Sequence, residues 1–333
     1  MIASAMPTTL TNARQATMEE WDAIHAACPY ATFFHGRSWA QVLEEYTDGR
    51  IRPEPRHLHF SDGVELILPI SIQTPRHRLW RTALLSPAGT YGGPISLHEF
   101  TDTHAMLVAR YMKRRLKNCQ FRSNPYLETT IPPIGSCIPD TTQRIRLSDF
   151  HASSLELQDK GHRSATTKAR KSGIEIVRAT EPRDWTRYAA MYEQSVARWG
   201  KQATSHWSPR LFQILQRNST TNGDIQLWLA HLYGKPVAGA ILLCTPTIDI
   251  YWHGSALAQF FDLRPVNLLL TELLDNAKRG GKSWFDFNPS GGHDGVVRFK
   301  DGFGPARSAC PMNISRSPLA RLAKNASELL PIS

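Results

Sequence analysis

The sequence predicts an α/β protein with mixed α+β layers, built as two domains of similar size, residues 1–150 and 151–333. Three observations lead there. A chain of 333 residues is longer than one hydrophobic core usually serves. Apolar residues recur at every second position in some stretches and with helical spacing in others, and the two kinds of stretch alternate. The order of these stretches is similar in both halves, although no residue-level repeat at a fixed period is present.

In the first half, Thr17-Met18-Glu19-Glu20 reads as a capping box opening a helix to about Ala27, and Ser38 opens a second through Tyr46. Val64, Leu66, Leu68, Ile70 and Ile72 then alternate after a Ser61-Asp62-Gly63 turn, which predicts a strand in a hairpin with Arg56 to Phe60. Pro69 in its middle points to an edge or a bulge. A strand at Thr82 to Leu85 leads into a loop of small residues, Ser86 to Pro94, around a single aromatic, Tyr91. Thr101 caps a helix to about Lys117, followed by strands near Cys119 to Arg122 and Gln143 to Leu147.

The second half predicts a helix from Ser153 to Lys171, a strand at Ile174 to Ala179, and helices near Arg183 to Trp199 and Pro209 to Arg217. Three strands follow, Ile225 to Leu232, Pro236 to Leu243 and Ile248 to Ser255, the first two joined at Tyr233-Gly234-Lys235. A helix from Leu263 to Arg279 has Pro265 in its first turn and Gly280-Gly281 at its end, and Trp284 to Phe287 is a strand.

Composition narrows the function classes. The longest apolar runs, Ala238 to Cys244 and Val266 to Leu270, are too short to span a bilayer, and Met1 to Asn12 lacks the pattern of a secretory signal, so a cytoplasmic location is expected. Five scattered cysteines form no metal or thiol-exchange spacing and read as reduced core thiols. The net charge of +10 is uneven, near +2 in the first half and +8 in the second. That excess suits phosphorylated ligands, nucleic acid or peripheral contact with an anionic lipid surface. Walker, H-E-x-x-H, nucleophile-elbow and dinucleotide glycine patterns are absent. His57 and His59 share a strand face but show no third ligand in the sequence, so no metal site is expected. The nine tryptophans read as core or interface residues.

Two stretches carry chemistry. Lys160 to Gly173 holds five cations and no acid, and at about 100° per residue Lys160, Arg163, Lys168, Arg170 and Lys171 fall within roughly 160° of arc, opposite Ala165 and Ala169. A solubilising helix usually mixes both signs, so this face reads as a phosphate-binding surface. Trp284 to Gly304 runs a strand into a glycine-rich turn and returns as the basic-aromatic segment Arg298-Phe299-Lys300-Asp301-Gly302-Phe303-Gly304. In open α/β sheets, ligands collect beyond the carboxyl ends of strands, which is where this turn falls.

The order of basic helix, triple strand, helix at Leu263, and Phe285-Asp286-Phe287 leading to the Arg298–Gly304 segment resembles the FemABX family of peptidoglycan bridge-forming aminoacyltransferases. The Tyr91-Gly92-Gly93-Pro94 turn is similar too, and the resemblance spans roughly residues 30 to 305. It implies two tandem GNAT-like domains and transfer of an aminoacyl group, from aminoacyl-tRNA and with no cofactor, to an amine of a cell-wall precursor, peptide or related metabolite. It implies that Arg163, Lys168 and Lys171 hold an anionic substrate group, with Arg298 and Phe299 beside it. It places an acceptor cleft between the domains, lined by Arg37, Trp39, Tyr91, Gly92 and Gly93 on one side and by Tyr251 and His253 on the other. Tyr251 and His253 share a strand face by period two, and either relays a proton or merely packs. Lys300 is expected to stabilise developing negative charge, and Asp286 either to accept the amine proton or to pair with Lys300.

Two alternatives stay open. An acyl-CoA donor is disfavoured by Asp262-Leu263-Arg264-Pro265-Val266-Asn267, which has no glycine and loses one amide at Pro265. A non-catalytic module that binds an anionic ligand is the other. The long coiled-coil arm of many cell-wall members has no counterpart here; shorter relatives act in exopolysaccharide or secondary-metabolite pathways.

Overall fold

Pro69 divides what period two alone would join. In a computed structural model that describes residues 7–75, 80–85, 87–200, 206–318 and 320, the chain forms strand Glu65–Leu68 before the proline and strand Ser71–Gln73 after it. The first pairs with Arg56–Phe60 across a turn whose Gly63 has φ +85°, and the second joins a different sheet beside Ile51–Pro53 and Thr82–Leu84. Proline has no N–H for a ladder, so pairing on one sheet ends there and the chain is released to the next. The expected edge or bulge is thus a change of sheet. Met1 to Met6 of the amino-terminal stretch and Ser86 of the small-residue loop lie outside the described residues.

The molecule has two compact units. The first takes the chain up to Asp140 and regains it from Ala309; the second is Thr141–Ser308. In the first unit a four-stranded antiparallel sheet runs in the order Leu10–Gln15, Arg56–Phe60, Glu65–Leu68, Ile95–Ser96. The other sheet orders Ser136–Ile138, Met312–Ser315, Cys119–Ser123, Thr82–Leu84, Ser71–Gln73 and Ile51–Pro53. Strand Met312–Ser315 is additional to the sequence expectation: four residues are too few for an alternation to announce a strand, and it is Cys119–Ser123 and Ser136–Ile138 on either side that complete it. Helix Met18–Ala27 carries the expected Thr17/Glu20 capping box, and Asp102–Arg115 begins after Thr101. Leu58, Leu66, Leu68, Val108, Met112 and Phe121 form the main core of this unit.

The second unit holds a seven-stranded mixed sheet in the order Ile174–Arg178, Ile225–Leu232, Lys235–Cys244, Ile248–Ala256, Trp284–Asp286, Thr141–Arg146, Ala306–Ala309. Helices Lys160–Lys171 and Pro265–Arg279 pack together, joined by Ala169 and by a buried run of side chains: Gln158 Nε2 donates to Thr271 Oγ1 at 2.9 Å, and Thr166 Oγ1 lies 3.2 Å from the same hydroxyl. The expected packing residue Ala169 is in the core, but its companion there is Thr166 rather than Ala165. Helix Pro182–Trp199 packs on strand Ile248–Ala256, where Ser195 Oγ meets Ser255 Oγ at 2.9 Å.

The basic helix is also locked to the basic-aromatic segment, which folds as helix Asp294–Asp301 followed by Gly302-Phe303-Gly304. Asp159 N donates to Gly302 O at 3.0 Å, and the His162 ring lies against Phe299 and Phe303 with centroids at 5.3 and 4.7 Å. A Cβ at Gly302 would collide with the His162 ring, and one at Gly304, where φ is +79°, with the Leu157 carbonyl. These glycines are therefore contact surfaces for the start of the basic helix. Gly302→Ala should destabilise the second unit by about 1–3 kcal/mol through overpacking, seen as a lower urea midpoint, and a second change His162→Ala should restore part of that loss. An additive double variant would show that the two residues are not in conflict.

Candidate functional site

Strand Trp284–Asp286 runs parallel to Ile248–Ile250, and their pairing ends where Asp286 faces Ile250. Ile248–Ala256 continues past that point, so the carboxyl end of the shorter strand opens beside Tyr251 and the residues after it. In an open sheet this is where backbone groups are left to meet a ligand.

Asp286 ends the strand and is fully buried. Its Oδ1 accepts from Thr142 Oγ1 at 2.8 Å and from the Asn288 backbone N–H at 2.7 Å, an Asx turn that reverses the chain. Asn288 sits at φ +59°, in the left-handed region that asparagine tolerates better than most residues. Lys300, on the following helix and only 4 % exposed, donates from Nζ to the Asn288 carbonyl at 2.7 Å and to Ser290 Oγ at 2.9 Å. Asp286 and Lys300 thus hold the N–H and the C=O of one residue. Asp286 accordingly enters the site as the anchor of this turn. Gln143, from the neighbouring strand, ties the helix down by donating to the Val297 carbonyl at 2.9 Å and to Asp301 Oδ1 at 2.5 Å. Arg298 is exposed on the same helix, and Phe299 is half-buried against the core.

Tyr251 and His253 do not share a face, contrary to the period-two expectation. Ile241 pairs with His253 but Leu242 with Tyr251, so Trp252 is an extra residue and the strand bulges there. Neighbouring residues on a strand point to opposite faces, and their partners across the bulge do the same. Tyr251 packs on the core face with Leu268 and Leu242 in its cluster, and burial pushes its phenol up to about 12. Gly254 has no side chain because Tyr251 fills that space. His253 lies on the other face, ringed by Tyr188, Tyr192, Phe212 and Trp252, with Nδ1 2.6 Å from Tyr188 Oη. Removal from water pushes its imidazole down to about 3, so it is neutral at ordinary pH.

On the basic helix, Asp159 caps the amino end by accepting from His162 N at 2.7 Å, and Lys160, Arg163, Lys168 and Lys171 are exposed. With Ser164, Thr167 and Ser172 they line a shallow depression of about 580 Å³. Arg163 also donates to the Gln158 carbonyl at 2.5 Å, and Arg170 is turned toward Glu272 at 2.8 Å. The expected cationic face therefore exists without Arg170.

The first-unit residues expected to line a cleft have a different setting. Trp39 and Tyr91 are both fully buried, joined edge-on through Phe34 with centroids at 5.5 and 5.9 Å. Gly92 and Gly93 are buried next to them, and Arg37 pairs with Asp22 at 2.6 Å. Tyr91 is interior because the small-residue loop folds inward and is pinned by Arg122 Nε donating to Gly89 O at 2.7 Å, and Trp39 is buried on helix Arg37–Tyr46. Thr142, Gln143, Asn288, Ser290 and Tyr188 belong to the site but carried no signal in the sequence. Of these, Asn288 and Ser290 lie in the Trp284 to Gly304 stretch.

Residues 158–301 match the family described as "Acetyltransferase (GNAT) domain". No curated protein matches the chain. Among solved structures, FemX is similar with a TM-score of 0.71 at 12 % identity, over 94 % of this chain and 99 % of that one. The C-terminal domain of a putative lysylphosphatidylglycerol synthetase from Agrobacterium fabrum is similar at 0.51 and 12 % identity, covering 85 % of this chain and 95 % of that one. A tandem GNAT protein from the clavulanic acid biosynthesis pathway is similar at 0.50 and 10 % identity, covering 92 % and 99 %. The chain accordingly has a FemABX-like tandem GNAT fold, and the part of it that bears the basic helix, the bulged strand and Lys300 matches the GNAT acetyltransferase domain.

Proposed function

We propose that the protein is an N-acyltransferase that moves an aminoacyl group from aminoacyl-tRNA to the amine of a cell-wall precursor, peptide or related metabolite. The observation that carries this reading is the exposed, acid-free face of Lys160, Arg163, Lys168 and Lys171 within the GNAT-matched residues, a surface suited to a phosphate backbone. Arg163 suits a forked phosphate contact and the lysines act as point charges. FemX and the C-terminal domain of the putative lysylphosphatidylglycerol synthetase are likenesses of fold.

In this reading the acceptor nitrogen attacks the ester carbonyl carbon, a C–N bond forms, and the bond from that carbon to the ribose oxygen breaks. The amine loses one proton and the ribose oxygen gains one. Tyr251, held protonated by burial, is suited to donate to that oxygen. Lys300 holds the turn at Asn288 and Ser290 and lends positive potential to the developing oxyanion. Asp286 positions Asn288 instead of taking the amine proton. His253, on the opposite face, packs against Tyr188. The acceptor cleft expected beside Arg37, Gly92 and Gly93 stays part of the proposal.

An acyl-CoA donor has less support. Helix Pro265–Arg279 starts after Arg264 in a left-handed conformation, φ +58°. Pro265 offers no N–H, and Asn267 N already donates to Arg264 O at 3.1 Å. Two of the first three amides that would grip a pyrophosphate are thereby removed.

Incubation with charged tRNA or with acyl-CoA, over a panel of amine acceptors, tests the donor: product should form only from charged tRNA. Lys168→Glu with Lys171→Glu should raise the tRNA Michaelis constant at least tenfold at low salt and flatten its salt dependence. Product from acyl-CoA alone would overturn the donor assignment.

Lys300→Met leaves two acceptors without their donor. It should lower stability by about 1–3 kcal/mol and turnover roughly 100- to 1,000-fold, measured below the melting temperature. Normal turnover by the folded variant would leave Lys300 a purely structural role.

The depressed pKa of His253 has a defined sign. Its unfolded value of 6.5 falls to about 3 in the folded protein, so the folded state resists a proton that the unfolded chain accepts. The stability present above pH 6.5 should decline as pH falls from there toward 3. His253→Gln, which keeps an acceptor for Tyr188, should reduce the slope of melting temperature against pH between 7 and about 5. An unchanged slope would mean that this histidine titrates normally.

A further inference from the structure

We propose that the first unit binds one divalent transition-metal ion, of the zinc class, through His57, His59 and Glu65. The three come together on the four-stranded sheet, where no sequence spacing announces them. His57 and His59 lie two apart on strand Arg56–Phe60, and Glu65 pairs directly with His59 from the adjacent strand. One ligand atom from each residue can be chosen so that all three lie within 4.8 Å of one another. The imidazole rings are 4.1 Å apart. Glu65 reaches both rings, with Oε2 3.3 Å from His57 Nε2 and Oε1 3.1 Å from His59 Nδ1. Ligand atoms around a tetrahedral zinc, bonded at about 2.0–2.1 Å, are separated by roughly 3.3 Å, comparable to the distance from Glu65 to each imidazole.

A second observation points to a ligand rather than to a simple polar cluster. His57 is 3 % exposed, yet its Nε2 makes no hydrogen bond and faces the Glu65 carboxylate without the right geometry for one. His59 Nε2 is likewise buried with no hydrogen-bond partner. At His57 Nε2 the lack of a partner costs free energy that an ion bound there would recover. The outer ring of contacts also fits. Glu20 Oε2 lies 3.4 Å from His57 Nδ1 and is itself held by Arg14 at 2.8 Å. With an ion on Nε2, Nδ1 keeps its proton and points it at that carboxylate, an arrangement that orients metal-bound imidazoles. Without an ion, Nδ1 accepts from Arg14 Nη2 at 3.1 Å, and the tautomer is reversed. The side chain of Glu65 is 45 % exposed, which leaves a route for the ion and a place for water as a further ligand. Two imidazoles and one carboxylate favour zinc, cobalt or nickel over magnesium or calcium. The ion would clamp two strands of the sheet, a role independent of acyl transfer.

The test uses the whole chain freed of metal by chelation. Titration with Co2+, followed by its visible absorption, and with Zn2+ against a coloured chelator should show one ion per chain at micromolar or tighter affinity. Saturating Zn2+ should raise the melting temperature by several degrees. His59→Ala and Glu65→Gln, both in half-exposed positions, should each weaken binding at least tenfold. A mapping on the unaltered protein guards against misfolded variants: Zn2+ should protect His59 from acylation by diethylpyrocarbonate. No bound ion, equal binding by the His59→Ala/Glu65→Gln double variant, or unprotected His59 at saturating Zn2+ would each overturn the site.

Discussion

The ammonium group of Lys300 is almost wholly removed from water, and it is held by the Asn288 carbonyl and the Ser290 hydroxyl. A buried charge is tolerated only when its donors are met, so wherever this group sits, the chain around it must turn to face it. Asn288 does so by adopting a left-handed conformation, and Asp286 steadies the same residue from the other side. The strand end, the glycine-rich turn and the short helix after it are consequently one hydrogen-bonded piece. An electropositive group fixed in this way needs no rearrangement when charge develops nearby, which is the condition under which electrostatic stabilisation is most effective.

The same piece reaches the basic helix through an absence of side chains. Gly302 and Gly304 let His162 and the Leu157 carbonyl approach the turn more closely than any other residue would allow. The cationic face and the Lys300 turn are therefore parts of one rigid arrangement within the second unit.

Across the sheet, one extra residue at Trp252 separates two side chains that would otherwise stand together. Tyr251 is left on the face of helix Pro265–Arg279, and His253 is enclosed among rings on the other. Both have pKa values pushed toward the neutral form by loss of water, and Tyr251 directly follows the last residue paired with strand Trp284–Asp286.

What the sequence determined by itself was local. Capping at Thr17 and the alternation of Leu66 and Leu68 follow from propensity and period, and both appear as read. The acid-free helix face was equally legible, since helical spacing alone arranges those cations. The resemblance supplied Lys300 and Asp286, whose positions are close in sequence to a recognisable turn. What the tertiary structure decided lay between segments. Trp39 and Tyr91 carry the same letters whether they line a cleft or fill a core, and only their packing on Phe34 assigns them to the interior. A bulge changes the face of His253 without altering any residue. Glu65 becomes a third ligand for two histidines only when strand pairing sets it opposite His59. Register, bulges and burial are set by contacts between distant residues, and no local pattern encodes them.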